Sequence, residues 1–342
     1  MNKDSRIMFE KIRDFLTVYM PKQRGLSANT VMSYRTAINQ YLTYIAKEKK
    51  MRYEDITFGE WNVDNINSFL LELEKDRKVA ASTRNQRLFA IRSFLKFAGI
   101  SSPELVVLSL EASGIKMARE TKEPVAFLSE KGIEALLKAP DDTTKTGLRD
   151  MCFLITMYDT AARDCEMLNL KVSSLELEGS CPKIRLDGKG KKVRYVPLMK
   201  KTVSHLKRYL EVFHSKDVNN DEWLFYTVSH SKRNRMSDDN VARFLAKYSA
   251  DVHTLLPEVP EKVTPHQLRH SRAMHLYRHG MPLQLLAEYM GHSSSISTQI
   301  YAYADTEMKR AALEKCQLQE SGENVPLWMT DEALIKKLYG LD

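Results

Sequence analysis

The chain has 342 residues, 43% of them hydrophobic and 28% charged, an ordinary globular composition long enough for two domains with a sizeable buried core. Lys and Arg outnumber Asp and Glu by 52 to 44, and the net charge of +8 favours a polyanionic partner. No apolar run approaches the roughly 18 residues needed to span a membrane, and the polar opening "MNKDSRIMFEKIRDF" reads as a helix rather than a signal peptide.

In chain order, the first hundred residues are helical in pattern. A helix is expected over Ile7 to Tyr19. A second follows Ser27 as N-cap, with Val31, Tyr34, Ile38, Tyr41, Leu42 and Ile45 on one face. Asn65 to Lys75 supplies a third. A fourth opens at Ser82, carries Leu88, Ile91, Phe94, Leu95 and Ala98, and closes at Gly99. A four-helix bundle is the natural reading of residues 1–105. Residues 106–125 lose clear periodicity and carry Lys116, Arg119 and Lys122, so they read as a basic linker.

A second domain, 126–320, begins with the capped helix in "LSEKGIEALLKAP". Two helices then meet near Asp159 to Ala162, and "KIRLDGKGKKVRYVPLM" alternates like a hairpin around Gly188 and Gly190. Thr202 to Phe213 is helical, "SHSKRNRMS" at 229–237 reads as a basic loop, and a helix capped by Ser237 follows. The next helix has a capping box, with Thr264 as cap, Pro265 first and Gln267 as partner, and it stops at Gly280. The tail, 321–342, holds a short amphipathic helix from Asp331 to Tyr339, with Leu334, Ile335 and Leu338 on it and Trp328 before it. The fold class expected is mostly α with a small β-hairpin or sheet.

The four cysteines at 152, 165, 181 and 316 show neither metal-ligand spacing nor a disulfide framework, which fits a reducing compartment and a cytoplasmic location. His266 and His270 are four apart, yet no Glu follows His266 as in a zincin helix and no cysteine is near, so zinc is rejected. His266 and Arg269 share one face in the first turns of a helix, where an anion is favoured. Arg163 has Glu166 three residues on, placed to hold it, and Lys189 stands between two glycines at a hairpin tip. Taken singly, these also suit a surface ion pair, a capping histidine and a solvated turn.

In order along the chain, however, they resemble the signature of the tyrosine recombinases, the phage-integrase family. The family's Y-x-T-G-x-R-x-x-E-x-x-x-L stands here as "YDTAARDCEMLNL", with Ala161 at the usual glycine. Its hairpin stands as "GKGKKVRYVPL", its H-x-L-R-H-[ST] as "HQLRHS", and its closing motif as "MGHSSSISTQIY", with Met290, Ser295 and Ser297 as departures. "LSANTVMSYR" is similar to the family's core-binding domain, so the resemblance spans nearly the whole chain. The family nucleophile lies nine residues after the closing-motif histidine, which puts it at Tyr301, and Tyr303 stands where many members carry a histidine.

The resemblance implies a site-specific recombinase that cuts DNA through a 3′-phosphotyrosine at Tyr301. Arg163 and Arg269 would neutralise the phosphate, His266 would handle protons, His292 would donate to the phosphate and Lys189 would protonate the leaving 5′ oxygen. No cofactor or metal is implied. The partners implied are double-stranded DNA carrying recombination sites, further copies of the chain in a tetrameric synaptic complex, and a related recombinase. The tail would dock on a neighbouring subunit, in a prokaryotic, nucleoid-associated setting. A type IB topoisomerase-like enzyme and a non-catalytic DNA-binding relative are the alternatives.

Overall fold

The computed structural model describes residues 2–75, 77–100, 102–120, 126–188, 192–214, 221–292, 298–301, 310 and 332–338. The chain divides into two compact units, Met1–Lys122 and Glu123–Asp342. Among the described residues no helix is long and apolar enough to cross a membrane.

The first unit is helical. Helix α1 (Lys3–Asp14) continues into a π-helical segment, Phe15–Gln23, and α2 (Ala28–Glu48), α3 (Val63–Lys75) and α4 (Ala81–Ile100) follow. Ser27 caps α2 through a bond from the Thr30 amide, as its position predicts. The apolar faces meet around Trp61, Tyr41, Phe69 and Phe94, all fully buried, and the Tyr41 and Phe94 rings each lie 4.8 Å from Trp61. Helix α4 begins one residue before Ser82 and runs one past Gly99.

The linker expected over 106–125 is corrected in its first half. Val106–Gly114 forms helix α5, packed on α4. Ala112 and Ile115 are buried, the Arg92 guanidinium donates to the Ala112 carbonyl at 2.9 Å, and the Asn85 side chain pairs with both backbone groups of Ala118. The periodicity was hard to see because α5 keeps Val106, Val107 and Leu110 exposed beside its buried face. Apolar side chains on both faces hide an amphipathic pattern.

The second unit opens with α6 (Glu130–Lys138) and α7 (Lys145–Thr160), then the short α8 (Asp164–Leu168). Strands β1 (Leu175–Glu176), β2 (Lys183–Asp187) and β3 (Val193–Pro197) form one antiparallel sheet, with Ile184, Leu186 and Val196 turned into the core. Helix α9 (Lys200–Phe213) packs on α7. Residues 229–237, expected to be a loop, are largely strand: β4 (Tyr226–Ser229) pairs with β5 (Lys232–Arg235). The two turn residues, His230 and Ser231, both take positive φ, of 50° and 61°. That is the geometry of a two-residue hairpin turn, made here without the Asn-Gly pair that usually signals it. Helices α10 (Asp238–Leu255), α11 (Pro265–Arg278) and α12 (Leu283–Met290) complete the unit. The capping box of α11 is formed, with the Gln267 amide on Thr264 Oγ1 and the Thr264 amide on Gln267 Oε1. A helix spans Glu332–Leu338, while Trp328 and the side chains of Leu334, Ile335 and Leu338 lie outside the described residues.

Candidate active site

Three breaks in helical structure converge on one place. The first is the end of α7. Ala161 takes a left-handed conformation, φ 46° and ψ 32°, so the chain turns sharply before Arg163 caps α8. The Arg163 amide donates to Glu166 Oε2 and its Nη1 to Glu166 Oε1, both at 2.8 Å, while Nη2 reaches the Gly291 carbonyl at 3.2 Å. The Arg163 side chain stays 30% exposed, and that of Glu166 is 1% exposed. Glu166 therefore aims an arginine that still faces solvent.

Glu166 also receives Arg194 from β3 in a two-bond fork, at 2.9 and 2.8 Å. Burial pulls its carboxyl upward, but the Arg194 fork and the Arg163 amide and guanidinium outweigh that and hold it down at about 2. The base of the hairpin passes close to the same carboxylate: a side-chain carbon added at Gly188 would lie 3.4 Å from Glu166 Oε1. Lys189, at the tip, lies outside the described residues.

The second break is the end of α12. Gly291, φ 63°, closes that helix, and a methyl there would lie 2.9 Å from Arg194 Nη1, so the glycine is needed for space as well as conformation. His292 follows, with Nδ1 2.8 Å from Thr298 Oγ1. Burial, then the charges of Arg269 and Arg163, push its imidazole down to about 4, so it is neutral at pH 7. The third is the start of α11. Arg269 is 3% exposed, and its guanidinium binds the Ala161 carbonyl through Nη1 and the Met290 carbonyl, at 2.6 Å, through Nη2. It thereby ties the other two breaks together. Burial and the neighbouring Arg163 charge lower it to about 10, still cationic at neutral pH.

Tyr301 is fully buried among Ala273, Met274, Leu286 and Met290. Burial raises its phenol to about 12 against the pull of Arg269 and Arg163. Its hydroxyl lies 2.8 Å from Nδ1 of His270. His266 is exposed one turn earlier on α11, its ring 6.4 Å from that of His270. The structure thus brings Arg163, Arg269, His292 and Tyr301 together. Tyr303 lies outside the described residues.

Two residues escaped the sequence reading. Arg194 lies inside the quoted hairpin, and the period-two alternation that buries Val196 puts Arg194 on the same inward face. His270 stands out in the sequence only as a rejected zinc ligand, though its four-residue spacing from His266 places both on one helix face.

Residues 126–308 match the phage integrase family, and residues 12–99 match the phage integrase N-terminal SAM-like domain. A putative integrase/recombinase, y4rC, of Sinorhizobium fredii is 32% identical over 305 residues, covering 89% of this chain and 90% of that protein. The tyrosine recombinase XerA of Pyrococcus horikoshii is 30% identical over 294 residues, 83% of this chain and 94% of its own. Among solved structures, the Tn1549 transposon integrase in complex with transposon right end DNA covers 92% of this chain and 99% of its own, with a TM-score of 0.67 at 15% identity, a likeness of fold.

Proposed function

The chain belongs to the phage integrase family of tyrosine recombinases, enzymes of site-specific DNA recombination, and from that premise we propose how its own residues carry the reaction. The observation that carries the reading is the meeting of one buried phenol with two guanidiniums and a neutral imidazole at the three helix breaks. Tyr301 attacks a backbone phosphate, forms a 3′-phosphotyrosine and expels a 5′ hydroxyl, and attack by another 5′ hydroxyl reverses the step on a new partner strand. The bond energy is retained, so no energy source is consumed.

Arg163 and Arg269 face the non-bridging oxygens, where negative charge grows in the transition state. Each is pre-aimed, by Glu166 in one case and by two main-chain carbonyls in the other, so little reorganisation is needed. With Thr298 held at Nδ1, the neutral His292 can donate from its other ring nitrogen. His266, exposed at the positive end of α11, suits a phosphate contact, and Lys189 supplies the proton to the leaving 5′ oxygen. The β4–β5 hairpin, with Lys232, Arg233 and Arg235 exposed, adds backbone contacts that grip DNA without reading sequence.

The substrate is double-stranded DNA with specific recombination sites. The enzyme works as an oligomer on it, a tetramer in the synaptic complex, with the tail joining neighbouring subunits and a related recombinase as a further partner. The setting is the cytoplasm, in keeping with free thiols at Cys152, Cys165 and Cys181. A nicked suicide duplex tests the nucleophile: Tyr301→Phe should bind it as wild type does and form no covalent adduct, whereas Tyr303→Phe should keep most adduct formation. An adduct that survives in the first variant and vanishes in the second would assign the chemistry to Tyr303.

A further inference from the structure

A buried phenol with its hydroxyl proton in place is a poor nucleophile, so the group that meets that proton matters. In this chain it is an imidazole on the middle of α11. His270 Nδ1 lies 2.8 Å from the Tyr301 hydroxyl, with ring centroids 5.8 Å apart. The charged and titratable groups facing His270 are His266 and Arg269 on its own helix, His292 after α12, and Tyr301 itself. Burial, then His266 and Arg269, hold His270 down at about 4, so its ring is neutral at working pH and one nitrogen carries a lone pair. With the ring proton on Nε2, Nδ1 is the acceptor for the phenol.

We propose that His270 holds the Tyr301 hydroxyl and takes up its proton as that oxygen attacks the phosphate. This rests on the reading of Tyr301 as nucleophile. The Oη–H bond breaks and the proton passes to His270 Nδ1. An Oη lone pair forms the Oη–P bond, the P–O5′ bond breaks, and its electron pair stays on the 5′ oxygen, which the general acid protonates. In the return step the entering 5′ hydroxyl gives its proton to the conjugate base of that general acid and forms the new O5′–P bond, the Oη–P bond breaks, and the departing phenolate recovers its proton from the imidazolium. The resting ring is a weak base because burial, and after it the neighbouring His266 and Arg269, disfavour added positive charge. A DNA phosphate entering beside them reverses that field and raises the ring's proton affinity. The acceptor is thereby switched on by the substrate, and the phenol stays protonated in the free protein.

The test is single-turnover adduct formation on a nicked duplex, built on a site selected from random-sequence DNA by binding to this protein, from pH 6 to 9. Wild type should give a nearly level profile. His270→Gln keeps an acceptor oxygen but cannot take up a proton. It should be slower by about a hundredfold or more at pH 7, and its rate should climb about tenfold per pH unit, because only free phenolate attacks. In His270→Gly, added imidazole should restore the adduct. A His270→Gln rate equal to wild type, or a slow rate with the wild-type level profile, would overturn the proposal, as would folded His270→Gly that imidazole does not rescue. The sloping profile appearing in His266→Gln instead would move the acceptor to His266. An adduct formed by Tyr301→Phe would refute the nucleophile itself, whatever the histidine variants do.

Discussion

Replacing Glu166 by glutamine keeps the side chain's shape and removes its charge at the carboxylate that receives both Arg163 and Arg194. The magnitude follows from the depressed carboxyl. Its ordinary value is 4.5 and it sits at about 2, with burial more than offset by the Arg194 fork and the Arg163 amide and guanidinium. At about 1.4 kcal/mol per pH unit, that difference contributes about 3 kcal/mol to the second unit at neutral pH. The range for breaking a buried ion pair from one side is similar, about 3–5 kcal/mol. Because the folded value lies below the unfolded one, the contribution is complete above about pH 4.5 and is lost as pH falls toward 2. Urea unfolding of the full chain, with the two units' transitions fitted separately, should therefore show Glu166→Gln less stable than wild type by about 3 kcal/mol at pH 7 and by only about 1 kcal/mol at pH 3. Adduct formation should slow by about tenfold or more, since Arg163 loses the group that aims it, while DNA affinity is kept. An equal stability at pH 7, or a deficit of the same size at both pH values, would refute the electrostatic account.

The two arginines should be worth about 3–4 kcal/mol each in the transition state, the scale of one lost oxyanion donor. Arg163→Ala and Arg269→Ala should slow single-turnover cleavage at least about a hundredfold with affinity for DNA nearly intact, and a defect confined to binding would make them ordinary phosphate contacts. If Lys189 protonates the leaving oxygen, a 5′-thiol leaving group should rescue Lys189→Ala, because a thiolate leaves without a proton. Equal, unrescued defects in Lys189, Lys191 and Lys192 variants would mean that the hairpin only grips the backbone.

Helix ends were the most legible part of the fold. Ser27, Ser237 and Thr264 each cap a helix as their positions predict, since a short side-chain oxygen beside free amides is a local rule. The errors lie where local rules are silent. Helix α5 is held by Arg92 and the segment after it by Asn85, both contributed from α4 at separations of 20 residues and more. The β4–β5 hairpin turns on His230 and Ser231, which seldom take positive φ unless strand pairing compensates. In the candidate site, Arg163, Arg269, His292 and Tyr301, which the structure brings together, could be picked out of the sequence because the proposed chemistry limits them to few types in a fixed order. Glu166 was legible too, three residues after Arg163, but Arg194 and His270 were not, since they act through tertiary contacts with Glu166 and Tyr301.

Ala161 shows how a departure from the family pattern can be absorbed. The turn it occupies is left-handed, which points its carbonyl at Arg269 while the side chain of Arg163, two residues on, stays partly exposed. Glycine makes such a turn freely, whereas alanine pays about 1–2 kcal/mol in backbone strain. The alanine methyl, however, is fully buried, and burying one methyl returns about 0.8 kcal/mol. The buried methyl offsets only part of the strain, so alanine in place of glycine costs about 1 kcal/mol or less. Any residue that keeps these dihedrals points the carbonyl the same way, and that orientation is what Arg269 requires. The position is thus constrained through its backbone dihedrals, and through its side chain only by the room available for one carbon.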